Sequence, residues 1–216
     1  MSDPKTNPAL AESMPEAEPA PCGGCEAQRM SPLACGSCGL LSDEDRHPSP
    51  FQLFGLAPTW TVCPAEMHKR LMRITRLTHP DLHAASDEQA VLAERHTAEL
   101  NEAYKLLLDD LARTEWLIDH LGGPPASNGV PQALLMEVME WNETLDDLES
   151  DPDTAARKAL VDELQIRRHA TLQDLRGILD PLPEPGAPSL KAARDHLDVL
   201  RYLARILART QELPSK

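Results

Sequence analysis

The chain has 216 residues, 41% of them apolar but only 3% aromatic, and a formal net charge of −14. That length fits one or two small domains whose cores are built from Leu, Ala, Val and Met. A chain this acidic is a poor partner for nucleic-acid phosphates, and it has no run of eighteen apolar residues with which to cross a membrane.

Residues 1–21 read as a disordered tail. They lack the apolar segment of a secretory signal, and they carry four acids and no Arg, unlike a transit peptide. A cytoplasmic, reducing location is the expectation. Residues 22–47 form a cysteine module, with Cys22-x2-Cys25 and Cys35-x2-Cys38 separated by nine residues. Each pair encloses glycine, which suggests turns that reach positive φ and bring the sulfurs together. Four thiolates suit a tetrahedral zinc ion. Two disulfides or an iron site are the alternatives. A closed four-sulfur set leaves no open coordination position, so the zinc is expected to be structural. A segment this short needs the metal to fold. Whether the module also joins two copies into a homodimer stays open.

Residues 48–123 read as helices. "FQLFGL" (51–56) is a short apolar segment that could dock on the helices after it. Pro64 suits the first position of a helix, and Met67, Leu71 and Ile74 then share one face. Lys69, Arg70, Arg73 and Arg76 lie mostly on the rest of the helix surface. Pro80 stops the helix by removing a donor and pushing His79 out of the helical region. His79 and Asp81 are left on a turn, where Asp81 could serve as a cap. From Asp87 to Leu108 a long helix carries Ala93, Thr97, Leu100, Tyr104 and Leu107 on one stripe. The two helices predict an antiparallel pair with His79-Pro80-Asp81 at its tip. "LARTEWLIDHLGG" adds a short helix that ends at Gly122.

Residues 124–131 are a linker by composition, and 132–216 predict a three-helix bundle. In its first helix Leu134, Val138, Trp141, Leu145 and Leu148 face the core. Leu135, Met136 and Met139 fall off that stripe and lie with Glu140, Glu143 and Asp147. Apolar residues rimmed by acids suggest a binding face, unless another helix covers them. Glu137 to Asp153 holds eight acids and no base, which suits either a solvated face or a basic partner. The second helix, Thr154 to Leu179, carries Val161, Leu164, Leu172 and Leu175. The third, Leu190 to Leu213, repeats Leu190, Ala193, Leu197, Leu200, Ala204 and Leu207.

"FQLFGL", the basic helix, "HPD" and "LNEAYKLLLDDLARTEWL" together resemble the HscB-type J-domain co-chaperones of iron–sulfur cluster assembly, and the likeness continues beyond residue 123. It implies an all-α fold: a J-domain hairpin and a C-terminal three-helix bundle, preceded here by the tetracysteine module. It implies that His79, Pro80 and Asp81, with Lys69, Arg70, Arg73 and Arg76, bind a DnaK/HscA-class chaperone and stimulate its ATPase. It implies that Leu135, Met136, Met139, Glu140, Glu143, Asp147 and Tyr202 bind an IscU-type scaffold. No residue is then expected to perform bond chemistry. Two positions depart from the family pattern: Cys63 stands where a capping aspartate is common, and Asp110 where proline is. A general J protein for unfolded clients is the runner-up, although no Gly/Phe-rich segment follows the triplet. A metal enzyme or sensor using His47, His68, His79 and His83 is a third reading.

Overall fold

The computed structural model describes residues 14–17, 21–43, 48–126 and 134–213. Most of the expected tail and linker, and His47, lie outside them. Among the described residues the regular elements are helical. They are α1 (Pro50–Leu53), α2 (Pro64–Thr78), a 3₁₀ turn (Pro80–Leu82), α3 (Asp87–Leu108), α4 (Asp110–His120), α5 (Leu135–Ser150), α6 (Thr154–Leu179) and α7 (Ser189–Glu212). Packing divides the chain into two compact units between Arg113 and Thr114, inside α4. Sequence alone draws its boundary later, at 123, because a linker is visible in composition and a change of packing partner along one helix is not.

In the first unit α1 is fixed by a capping box: Gln52 N–H donates to Ser49, and the Gln52 side chain accepts from the Ser49 backbone. Phe51, Phe54 and Leu56 are fully buried beside it. Each such side chain is worth about 2 kcal/mol relative to an exposed one. Within the region expected as tail, residues 14–17 pair with this segment. Ala17 N–H donates to the Gly55 carbonyl and Ala57 N–H to the Pro15 carbonyl. Met14 is buried, and its sulfur accepts from the Cys63 N–H at 3.4 Å. Cys63 itself gives α2 no side-chain cap, as expected where a capping aspartate is missing. Asp109 caps α4, accepting from the Leu111 and Ala112 N–H groups.

The predicted stripes need small corrections. On α2, Met67 and Ile74 are buried with Thr78, while Leu71 is only half-buried. On α3, Ala93, Leu100 and Leu107 are buried, joined by Leu92, His96 and Ala103 rather than by Thr97 and Tyr104. The extra face of α3 is needed because the cysteine module covers it. Ala34 and Leu41 of the module pack on Leu92 and Ala93, with Leu77 at the edge.

In the second unit α6 and α7 pack along their lengths and α5 lies against both. All five predicted α5 core residues, Leu134, Val138, Trp141, Leu145 and Leu148, are buried. On α6, Leu160, Leu164, Thr171, Leu175 and Leu179 are buried, so Val161 and Leu172 give way to Leu160 and Thr171. On α7, Leu203 and Ile206 replace the predicted Ala204 and Leu207. The buried series 193, 197, 200, 203, 206, 210 has a repeat shorter than 3.6 residues, so the seam drifts around the helix as two long helices follow each other. Gly122 ends α4 at φ +74° as predicted, and its N–H donates to the Asp119 carbonyl.

Candidate functional site

The first candidate is the thiol cluster. The four Sγ atoms of Cys22, Cys25, Cys35 and Cys38 all lie within 4.8 Å of one another. Cys22 Sγ is 3.7 Å from Cys38, and Cys25 Sγ is 3.6 Å from Cys35. Two turns of the same design hold them. In each, the first cysteine accepts an N–H from the residue two places on, Gly24 and Ser37, at 3.4 Å. In each, a bridge pairs the residue before the first cysteine with the one six places after it, Pro21 with Gln28 and Ala34 with Leu41. The positive φ falls just beyond each pair, at Glu26 (59°) and Gly39 (73°), and not at the glycines inside the pairs. The conformational reason expected for Gly23, Gly24 and Gly36 is therefore corrected. At Gly24 the constraint is space, since a Cβ would stand 3.1 Å from Leu40.

The thiols differ in proton affinity. The Cys38 and Ser37 backbone N–H groups hold Cys35 down at about 6. The Gly24 N–H lowers Cys22. At Cys25 the Ala27 N–H pulls down, but hydrogen bonds from Cys38 and Cys35 and loss of solvent outweigh it and push the thiol up to about 12. Thiolates crowded this closely without a cation must share protons, and a bound cation removes that conflict. Among the described residues these four thiols are the single His/Cys/Asp/Glu group that could hold a metal ion. His79 and His83 form no such group. His83 Nε2 is engaged with the Leu77 carbonyl at 2.9 Å.

The second candidate is the His79-Pro80-Asp81 tip. Helix α2 ends where Pro80 predicts, with His79 extended at φ −67° and ψ 127°. The last carbonyls of α2 lack helical donors. His83 satisfies Leu77, and Thr97 Oγ1 donates to the Thr78 carbonyl at 3.3 Å. His83 thus ties the turn back to the end of α2, and the Thr97 hydroxyl, shared with the Ala93 carbonyl of its own helix at 2.9 Å, links that end to α3. His79, rather than Asp81, caps the 3₁₀ turn, its Nδ1 accepting from the Asp81 N–H at 3.3 Å. That leaves the Asp81 side chain 88% exposed and His79 51% exposed. Leu82 and Val91, both about two-thirds exposed, are apolar residues near the tip in sequence that patterning did not single out.

The four basic residues of α2 are not equivalent. Lys69, Arg73 and Arg76 are exposed. Lys69 is 3.6 Å from Glu66, and Arg73 Nη1 reaches the Met30 sulfur at 3.3 Å. Arg70 is mostly buried, paired with Glu16 and Glu66, and donates to the Phe54 carbonyl at 3.0 Å. Its charge is committed inside the unit.

The third candidate is the outer face of α5. Leu135, Met136 and Met139 are 46%, 75% and 63% exposed, and no described helix covers them. Glu140, Glu143 and Asp147 are exposed on the same helix. Tyr202 reaches this face from α7 through a hydrogen bond from Asn142, one turn beyond Met139. Arg209 of α7 grips Glu149 at 3.0 Å and lies 3.6 Å from Asp146.

Comparison with known proteins gives a consistent result. Residues 130–211 match the family model described as the HSCB C-terminal oligomerisation domain. The chain is 31% identical over 178 residues to a co-chaperone protein HscB homolog of Burkholderia thailandensis, covering 81% of this chain and 99% of that protein. A homolog from Ralstonia nicotianae is 32% identical over 178 residues, covering 80% and 96%. Human co-chaperone protein HscB shares the fold, with a TM-score of 0.73 at 22% identity over 89% of this chain and 98% of that one. The chaperone HscB from Vibrio cholerae has a TM-score of 0.64 at 26% identity, covering 76% and 96%.

Proposed function

The chain belongs to the HscB family of co-chaperones, and on that premise we propose that it binds an IscU-type iron–sulfur scaffold, delivers it to a DnaK/HscA-class chaperone and stimulates that chaperone's ATPase. The observation that carries the reading is the exposed His79-Pro80-Asp81 corner, fastened by His83 and Thr97. A rigid polar corner can make a directional contact at little entropic cost. Lys69, Arg73 and Arg76 supply the long-range attraction that speeds encounter with an acidic surface. Arg70 acts from within, holding α2 to the chain around Phe54. The exposed apolar residues of α5, rimmed by acids, are the scaffold's landing place, with Tyr202 at the edge. None of these residues makes or breaks a bond.

For the thiol cluster we propose structural zinc in a reducing, cytoplasmic setting. A tetrahedral zinc with Zn–S of about 2.3 Å needs sulfurs about 3.8 Å apart, and the spacings of 3.7 and 3.6 Å support that choice. Zinc would supply only charge neutralisation and crosslinking there.

The test is single-turnover ATP hydrolysis by a DnaK/HscA-class chaperone, with the full chain and a purified IscU-type scaffold added separately and together. Expected is acceleration by the chain that increases further with scaffold present. Acceleration by any denatured protein in place of the scaffold would support the general J-protein reading instead.

A further inference from the structure

Asn142 stands on α5 between the exposed apolar residues and α7. Its amide makes three hydrogen bonds. Nδ2 donates to the Val138 carbonyl at 2.7 Å and to the Tyr202 hydroxyl at 3.1 Å, while Oδ1 accepts from Arg209 Nη1 at 3.0 Å. The two ends of an amide are often interchangeable, but here they are not. A carbonyl can only accept and a guanidinium can only donate. Val138 and Arg209 are both one-way partners, so they fix the amide with Nδ2 toward Tyr202. Arg209 is itself held by Glu149 and Asp146.

The Tyr202 oxygen therefore receives a hydrogen, and its own proton must point to something else. No described residue accepts it. The exposed Arg205 guanidinium lies 5.6 Å from the centre of the same ring. A free phenolic proton beside an exposed cation favours an anionic acceptor over a neutral one. The acids of this face, Glu140, Glu143 and Asp147, are on α5, whereas the two donors are on α7. The face is thus divided in charge, and a partner that fits it needs an acceptor opposite α7.

The geometry points to Tyr202 as a directed hydrogen-bond donor to a carboxylate of the scaffold protein, with Asn142 and Arg209 as positioning residues that turn the phenolic proton outward. This rests on the reading of the α5 face as the scaffold-binding surface. The difference from a merely apolar contact is chemical: the ring alone is insufficient, because the hydroxyl contributes.

The experiment is titration calorimetry of the full chain with a purified IscU-type scaffold. Tyr202→Phe keeps the ring and removes the donor. Asn142→Asp keeps an acceptor for Arg209 but puts a second acceptor against Tyr202, so the phenolic proton turns inward. Each variant is expected to weaken binding about tenfold, the loss of one hydrogen bond to a charged group. The double variant is expected to be no weaker than either single one, since both remove the same donor. The thermal midpoint of Tyr202→Phe should fall by only the small amount that loss of the Asn142 hydrogen bond explains. Met139→Ala reports on the face independently. If Met139→Ala weakens binding and Tyr202→Phe does not, the donor assignment is overturned and the face survives. If neither does, both fall. Additive losses in the double variant would overturn the positioning role of Asn142.

Discussion

The two units each expose a surface suited to a protein partner, and they build it by opposite means. In the N-terminal unit the exposed tip is short and polar. It is placed by a proline, by two side chains that bond the last carbonyls of α2, and by a cysteine module packed on α3. In the C-terminal unit the face is part of a long helix whose core stripe is already complete, so its three extra apolar residues are surplus to folding. The contrast teaches where each surface is vulnerable. A tip depends on orientation, so one polar atom can decide its action. An apolar face depends on area, so its losses are graded.

The largest expected effect separates the two surfaces. His79→Gln should return chaperone ATPase stimulation to background while scaffold affinity, measured by calorimetry, stays within about twofold of the parent. Gln cannot reproduce an imidazole Nδ1 capping the Asp81 N–H, so the turn loses its geometry as well as its side chain. Stimulation at the parent rate would end the proposed role of the tip.

Metal removal tests whether the module is part of the first unit's stability. Cys35→Ser, or a strong chelator, should lower the thermal midpoint of the N-terminal unit and leave that of the C-terminal unit in place. The expected loss is several kcal/mol, because the module covers Leu92 and Ala93 and its thiols are crowded without a cation. Atomic absorption should find about one zinc per chain before treatment. Equal shifts in both units would erase this difference between them.

A smaller effect comes from His96. It is 3% exposed, with Nδ1 lacking a hydrogen-bond partner. Burial, and then repulsion from Arg95, push its pKa from 6.5 down to about 4, against the Ser42 backbone and Asp43, which pull it up. The unfolded chain therefore takes the proton first as pH falls. The contribution of neutral His96 to stability is whole above about pH 6.5, declines through the window down to about 4, and is gone below it. The full loss is up to about 3 kcal/mol. Urea midpoints of the N-terminal unit measured across that window should fall with acid, and His96→Gln should flatten the slope. An unchanged slope would assign the acid sensitivity to other groups.

Much of this was readable in the residues. The helix ends at Pro64, Pro80 and Gly122, the five-residue core stripe of α5 and the exposed set Leu135, Met136 and Met139 all follow from local rules with short range. The pairing of the cysteines into one cluster followed from their spacing. Less legible were the inner face of α3, the role of Arg70 and the docking of residues 14–17. Each depends on a contact between segments far apart in sequence: α3 with the module, Arg70 with Glu16 and Phe54, and Met14 with Cys63.

By itself, then, the sequence determined the element types, the proline-marked corner, the thiol set and the surplus apolar residues of α5, because these are properties of neighbours along the chain. Tertiary structure alone decided which cation of α2 is mostly buried, that His79 and not Asp81 caps the turn, and that Asn142 and Arg209 aim the Tyr202 hydroxyl. Those outcomes depend on which donor meets which acceptor in space, and hydropathy period carries no information about that.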